Sequence, residues 1–207
     1  MTKIFVDFEF NTATKEREIL QIGAVKMNEN NEILSEFSSY VKPIWAEVTP
    51  RTTKLTGIKQ NHVQNAEELE QVLGKFFFWL GEDFDVVYSW SMSDYLQLKE
   101  ECSKKEIVSD LLERVFEVWE DYQRQFGDAI SYSGLLSLKN AILALDAVFS
   151  GNQHSALDDA KNTALLFALA HDVHKKEVLD SIREWFMPKE ELTFCLGEAF
   201  QGITLNV

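Results

Sequence analysis

The chain has 207 residues, 45% of them hydrophobic, which is enough for one globular domain with a sizeable core. Its formal net charge of −14 argues against a protein that grips long nucleic acid through a broad basic surface, but not against an enzyme whose acidic site is neutralised by divalent metals. No apolar run reaches the ~18 residues of a membrane span, "MTKIFVDFEF" lacks a secretory leader pattern, and Cys102 and Cys195 form no CxxC pair, so a reduced, cytoplasmic protein is expected.

In chain order, "KIFVDFEF" is rich in β-branched and aromatic residues and predicts a first strand. "EILQIGAVKM" (18–27) and "EILSEFSSYVKP" (32–43) predict strands two and three, with the polar "NENNE" as a hairpin turn between them. Residues 44–65 show little periodicity beside Pro43 and Pro50, and are expected to form a loop. From 42 to 59, Lys42, Arg51, Lys54 and Lys59 stand against the single acid Glu47. That window is either a phosphate-contacting edge or an ordinary solvated loop.

Leu69, Val72, Leu73, Phe76, Phe77 and Leu80 give residues 66–81 helical spacing. Phe78 and Trp79 exceed what one helix face needs: they make a partner surface or line a two-sided core, the second being favoured. A short buried strand is expected at 84–90 and a helix at 93–105. Residues 107–126 are ambiguous between strand and helix. Helices follow at 134–146 and 155–176, then a last one near 177–186 ahead of Pro188 and a tail. With no repeat or linker, this order predicts one α/β domain whose sheet has an antiparallel hairpin portion.

Asp7 and Glu9 interrupt the first strand two residues apart, so both point to one face. Burying two like charges side by side is costly unless something positive lies between them. The pair is therefore a candidate set of oxygen ligands for a hard cation such as Mg²⁺ or Mn²⁺, the alternative being an edge strand with that face in water. Asp94 follows the strand "FDVVYSW", where a helix cap is an equally ordinary role. His154, Asp158 and Asp159 surround the start of the 155–176 helix, whose dipole would favour either acid. Ala156, Ala160, Ala164 and Ala168 form a stripe of small residues that lets this helix lie close to a neighbour. If the neighbour is the sheet, Asp159 comes within reach of strand one.

Together "VDFEF", "WSMSDYLQL" and "HSALDDAKNTA" resemble the three motifs of the DnaQ-like DEDDh 3′→5′ exonucleases, which have a ribonuclease H-like fold. The family pattern is D-x-E, then an Asp in a W-G-x-x-D-like segment, then H-x4-D. Asp7, Glu9, Asp94, His154 and Asp159 match it in order, and the spacing selects Asp159 over Asp158. Ser91 stands where glycine is frequent in the second motif. "LTGI" (55–58) looks like the family segment that packs on the terminal nucleotide, and "FEVWEDYQRQFG" looks like its strand-plus-helix element, which places a short strand near 115–118. The resemblance covers about residues 3–172 and is nearest to the ERI-like exonucleases. It implies a mixed five-stranded sheet flanked by helices, an exonuclease domain over 1–176, and a C-terminal helix and tail (177–207) belonging to it or appended.

The resemblance further implies two divalent ions, Mg²⁺ or Mn²⁺, held by Asp7, Glu9, Asp94 and Asp159, as in-line phosphodiester hydrolysis requires. Asp7 would bridge the ions, Glu9 and Asp159 would complete the nucleophile side, and Asp94 would act largely through water. His154 is suited to take the proton of the attacking water. Phe10, Leu55 and Ile58 are candidate contacts for terminal bases by stacking and wedge packing, though each is also a candidate core residue. Lys54 is a candidate phosphate contact, and backbone amides near Glu9 and Phe10 are candidates for the 3′-hydroxyl. The expected substrate is the 3′ end of single-stranded nucleic acid, RNA favoured over DNA, with nucleoside monophosphates released. A catalytically silent binding module is the alternative, and it predicts a damaged acid set that this sequence does not have. A hydrolase triad lacks its motifs, and His171 with His174 has no third zinc ligand.

Overall fold

Strand β1 (Lys3–Asn11) is the centre of the sheet because it pairs on both edges. In the computed structural model, which describes residues 1–11, 17–130, 132 and 134–171, β2 (Glu18–Met27) runs antiparallel to β1 and β3 (Ile33–Tyr40) antiparallel to β2. The expected helix at 177–186, the tail, and residues 172–176 of the helix before them lie outside the described residues, as do His174 and Cys195. The β2–β3 turn is built as its asparagines require. Asn28 Oδ1 accepts from the amides of Asn30 and Glu32, while Asn31 takes φ 61°. Two short strands, β4 (Val86–Ser89) and β5 (Trp119–Asp121), join in parallel on the other side. The order β3-β2-β1-β4-β5 is the mixed five-stranded sheet with a hairpin portion that was expected.

Period-two alternation along β1 feeds two apolar layers. Ile4, Val6, Phe8 and Phe10 pack with α3 (Leu69–Leu80), α4 (Met92–Lys104) and α5 (Asp110–Glu117). Phe5 lies on the opposite face with α6 (Tyr122–Ala129), α7 (Leu138–Ala144) and α8 (Ala156–Ala170). Asp7 and Glu9 continue the row begun by Phe5, towards the N-terminus of α8. Both β1 and β4 end at the same edge, the edge at which open α/β sheets hold ligands.

Three local expectations are corrected. Residues 44–65 are not all loop: they contain α1 (Pro50–Thr56) and α2 (Gln60–Val63). The Thr49 side chain caps the amide of Thr52, Pro50 opens α1, and Gly57 closes it in the left-handed region at φ 75°. Second, residues 115–117 belong to α5 rather than to a strand at 115–118. Ser109 caps that helix, Leu112 and Val115 face the core one turn apart, and the strand starts at Trp119, whose indole N–H donates to Ser89 Oγ at 2.8 Å. Third, Phe78 is 93% exposed, so the two-sided core does not form there. The sheet covers one side of α3, where Phe76 packs edge-on to Phe37, and no described residue covers the other. Trp79 is half-buried against Phe37.

Candidate active site

Four segments deliver the acids and His154: β1, α4, α8 and the loop before it. β1 carries Asp7 and Glu9, and a bulge in its pairing with β2 falls between Glu9 and Phe10. Such a bulge adds local twist and re-aims the side chains beyond it. α4 begins at Ser91, whose hydroxyl caps the amide of Ser93, and presents Asp94 in its first turn. Asp94 reaches back to β1 and accepts from the Phe8 amide at 3.0 Å, which fixes one carboxylate oxygen between Asp7 and Glu9.

α8 arrives by a close backbone approach to the sheet. Gly23 faces Asp7 across the β1–β2 pair, and a Cβ there would meet the Ala156 carbonyl carbon at 2.1 Å. The absent side chain, together with the fully buried Ala156, Ala160 and Ala164, lets α8 lie against the sheet. Gln21 completes the joint, its Oε1 accepting from the Ala156 amide. Ahead of α8, Asp158 folds the loop on itself by accepting from the Asn152 amide, and Gly151 (φ 83°) leaves room for its carboxylate. Asp159, one residue on, faces the site. His154 takes φ 61°, and its amide donates to Asp159 Oδ2 at 3.2 Å.

Ligand atoms of Glu9, His154 and Asp159 all lie within 4.8 Å of one another. Asp7 and Asp94 line the same cavity of about 520 Å³, a volume suited to a small ligand, without joining that tightest group. Burial, followed by the charges of Asp94, Asp159 and Glu9, holds the Asp7 carboxyl well above its usual range. Burial, then Asp159 and Asp94, pushes Glu9 up to about 8. Asp94 rises to about 7, chiefly through burial and against the Phe8 amide, and Asp159 to about 6, through burial and against the His154 amide. Among the described residues no ion pair neutralises any of the four, and the Asp159 Oδ1 is buried without a hydrogen-bond partner. An all-oxygen acid set with an orphaned lone-pair atom fits a hard divalent cation.

The remaining expected contacts divide. Phe10 and Leu55 line the cavity, although Phe10 is only 9% exposed and belongs to the core. Ile58 packs with Leu20 and Val63 and lines a neighbouring hollow that Leu55 shares. Lys54 is exposed in the last turn of α1 and does not line the main cavity. Sequence reasoning missed Gly23, although a glycine inside an apolar strand signals close backbone approach. It also missed Arg17, a cation beside the acids that only the fold places there.

The sheet order, flanking helices and converged acids define a ribonuclease H-like nuclease fold with an acidic site. The exonuclease family model matches residues 4–167, and the chain belongs to that DnaQ-like exonuclease family. It is 32% identical over 192 residues to ERI1 exoribonuclease 2 of Danio rerio, covering 79% of this chain and 34% of that protein. It is 28% identical over 206 residues to a PolC-type DNA polymerase III of Thermotoga maritima, covering 96% of this chain and 14% of that protein. The chain thus spans about a third or less of these two relatives' length. The nuclease domain of 3′hExo, a DEDDh family member solved bound to rAMP, superposes with a TM-score of 0.71 at 22% identity, covering 82% of this chain and 90% of that one. No helix among the described residues is long and apolar enough to cross a membrane.

Proposed function

We propose that this chain is a divalent-metal-dependent 3′→5′ exonuclease that removes nucleoside monophosphates from single-stranded ends, RNA favoured over DNA. The observation that carries the reading is the set of four converged carboxylates, none of them in an ion pair among the described residues and one oxygen of which is buried and unpartnered. Two ions of the Mg²⁺ or Mn²⁺ class, held by Asp7, Glu9, Asp94 and Asp159, would supply charge neutralisation for the phosphate and a lowered pKa for water.

The chain's own groups do the rest. His154 sits at the rim with its ring beside Glu9 and Asp159, where it accepts the proton of a water attacking phosphorus. The bond from phosphorus to the 3′-oxygen of the preceding nucleotide then breaks, that oxygen takes a proton from solvent to become the new 3′-hydroxyl, and the terminal nucleoside monophosphate leaves. Leu55, 47% exposed at the cavity edge, offers apolar surface to the terminal base. The preference for RNA is supported by the name of the Danio rerio relative, an exoribonuclease, and opposed by that of the bacterial one, a DNA polymerase.

The test is a time course on matched 5′-labelled single-stranded RNA and DNA with Mg²⁺, with Mn²⁺ and with chelator. A metal-dependent ladder shortening from the 3′ end, faster for RNA, is the expected result. Cleavage of neither polymer would leave the silent binding module as the better reading.

A further inference from the structure

We propose that Arg17 is a substrate-binding residue that holds a backbone phosphate of the bound strand at the mouth of the acidic cavity; this rests on the exonuclease reading above. Arg17 is the one Lys or Arg among the described residues lining that cavity, which otherwise presents the four acids, His154 and neutral groups. Its guanidinium lies over the Phe10 ring, 4.8 Å from the centroid. With the guanidinium over it, the core-packed Phe10 is 9% exposed and offers a ligand little ring surface. A strand entering on that side meets a cation before it meets an aromatic face.

The backbone that carries the guanidinium is held in place. The buried Gln97 amide donates to the Arg17 carbonyl at 2.8 Å, and the buried Glu101 accepts from the Ile19 amide at 2.8 Å. Asp94, Gln97 and Glu101 occupy one face of α4, at helical spacings of three and four. The helix that places Asp94 against β1 therefore also fixes the backbone of Arg17 relative to Asp94. Yet among the described residues the guanidinium makes no hydrogen bond and no ion pair, so its five N–H donors stay open beside four carboxylates. A guanidinium stacked by one face on a ring still directs its N–H groups outward in its plane, and that fork matches two oxygens of a phosphate.

The test uses the full chain carrying Asp7→Asn, so that binding is read without cleavage. Fluorescence anisotropy with a short 5′-labelled single strand in Mg²⁺ gives Kd across a range of salt concentrations. Adding Arg17→Gln is expected to raise Kd about tenfold. It should also flatten the slope of log Kd against log salt by about 0.7, the value of one single-strand phosphate contact. Arg17→Lys should keep the slope while losing part of the affinity. Unchanged Kd and slope in Arg17→Gln overturn the proposal. Lost affinity with an unchanged slope overturns it too, because that is what a purely packing role on Phe10 would give. If neither the Asp7→Asn parent nor the unsubstituted chain in Ca²⁺ binds a strand, the exonuclease reading falls along with it, an outcome distinct from either of the others.

Discussion

Two clusters of buried carboxylates lie at opposite ends of the same helix, and they are treated in opposite ways. At the C-terminal end of α4, Glu18 and Glu101 are both fully buried, and every oxygen has a partner. Glu18 accepts from the amides of Ile44, Trp45 and Ala46 at 2.7, 3.0 and 3.2 Å. Lys105 sits 2.7 Å from Glu101 and 3.6 Å from Glu18, under the Trp45 ring. At the N-terminal end, Asp7, Glu9, Asp94 and Asp159 have no cation paired to them, and an Asp159 oxygen goes unmet. The folding chain tolerates buried acids in both places, but only the first cluster is satisfied from within. The second is left for something supplied from outside.

The largest expected effect tests that asymmetry directly. Asp7→Asn should reduce metal-dependent hydrolysis by more than about a hundredfold in a gel assay. It should leave the fold intact and raise the thermal midpoint of the metal-free protein, because one of four repelling charges is gone. Removing charge at the other end should do the reverse. Lys105→Met leaves Glu18 and Glu101 without their cation, and should cost about 3 kcal/mol in a denaturant titration.

The pH dependence of the metal-free protein sharpens the contrast. Glu9, Asp94 and Asp159 hold protons to about 8, 7 and 6 when folded, above their ordinary carboxylate values, and Asp7 shifts the same way. The folded state therefore binds protons that the unfolded chain has released. Its stabilising contribution is complete below about pH 4 and is lost progressively as pH rises from there through the folded values, ending near about 8. Thermal melts in chelator should fall across that range, and Mn²⁺ should flatten the fall; a flat profile in chelator would mean the acids are already compensated. The smallest effect lies at the rim: reversing the exposed Lys54 and Lys59 to Glu should raise KM a few-fold, about 1 kcal/mol, and weaken its salt dependence. An unchanged KM would assign these lysines to plain solvated surface.

Much of this was legible before any coordinates. Strand limits followed from β-branched and aromatic runs, and the motif order put Asp7, Glu9, Asp94, His154 and Asp159 on segments that the fold does bring to one cavity. The alanine stripe foretold how α8 would dock, but the glycine opposite it was passed over. α1 was missed although Thr49, Pro50 and Gly57 spell a cap, a start and a stop. The residues 115–117 went wrong for a different reason: apolar spacing over six residues suits a helix turn and a buried strand equally. Least visible was the Glu18–Lys105–Glu101 group, along with Arg17. Glu101 and Lys105 are a readable i,i+4 pair, but Glu18 meets Lys105, and the Arg17 carbonyl meets Gln97, from distant parts of the chain, and no local pattern encodes that.

The docking of α8 over Gly23 also sets a schedule. β1, β2 and α4 are synthesised first and can bring Asp7, Glu9 and Asp94 together, but Asp159 and His154 come on the last described helix and the loop before it. A chain leaving the ribosome therefore carries three of its four acids for much of its synthesis and gains the fourth only when that helix closes on the sheet. Competence for the proposed reaction arrives late, when the segment from Asn152 onward has emerged and its loop can bring His154 to Asp159.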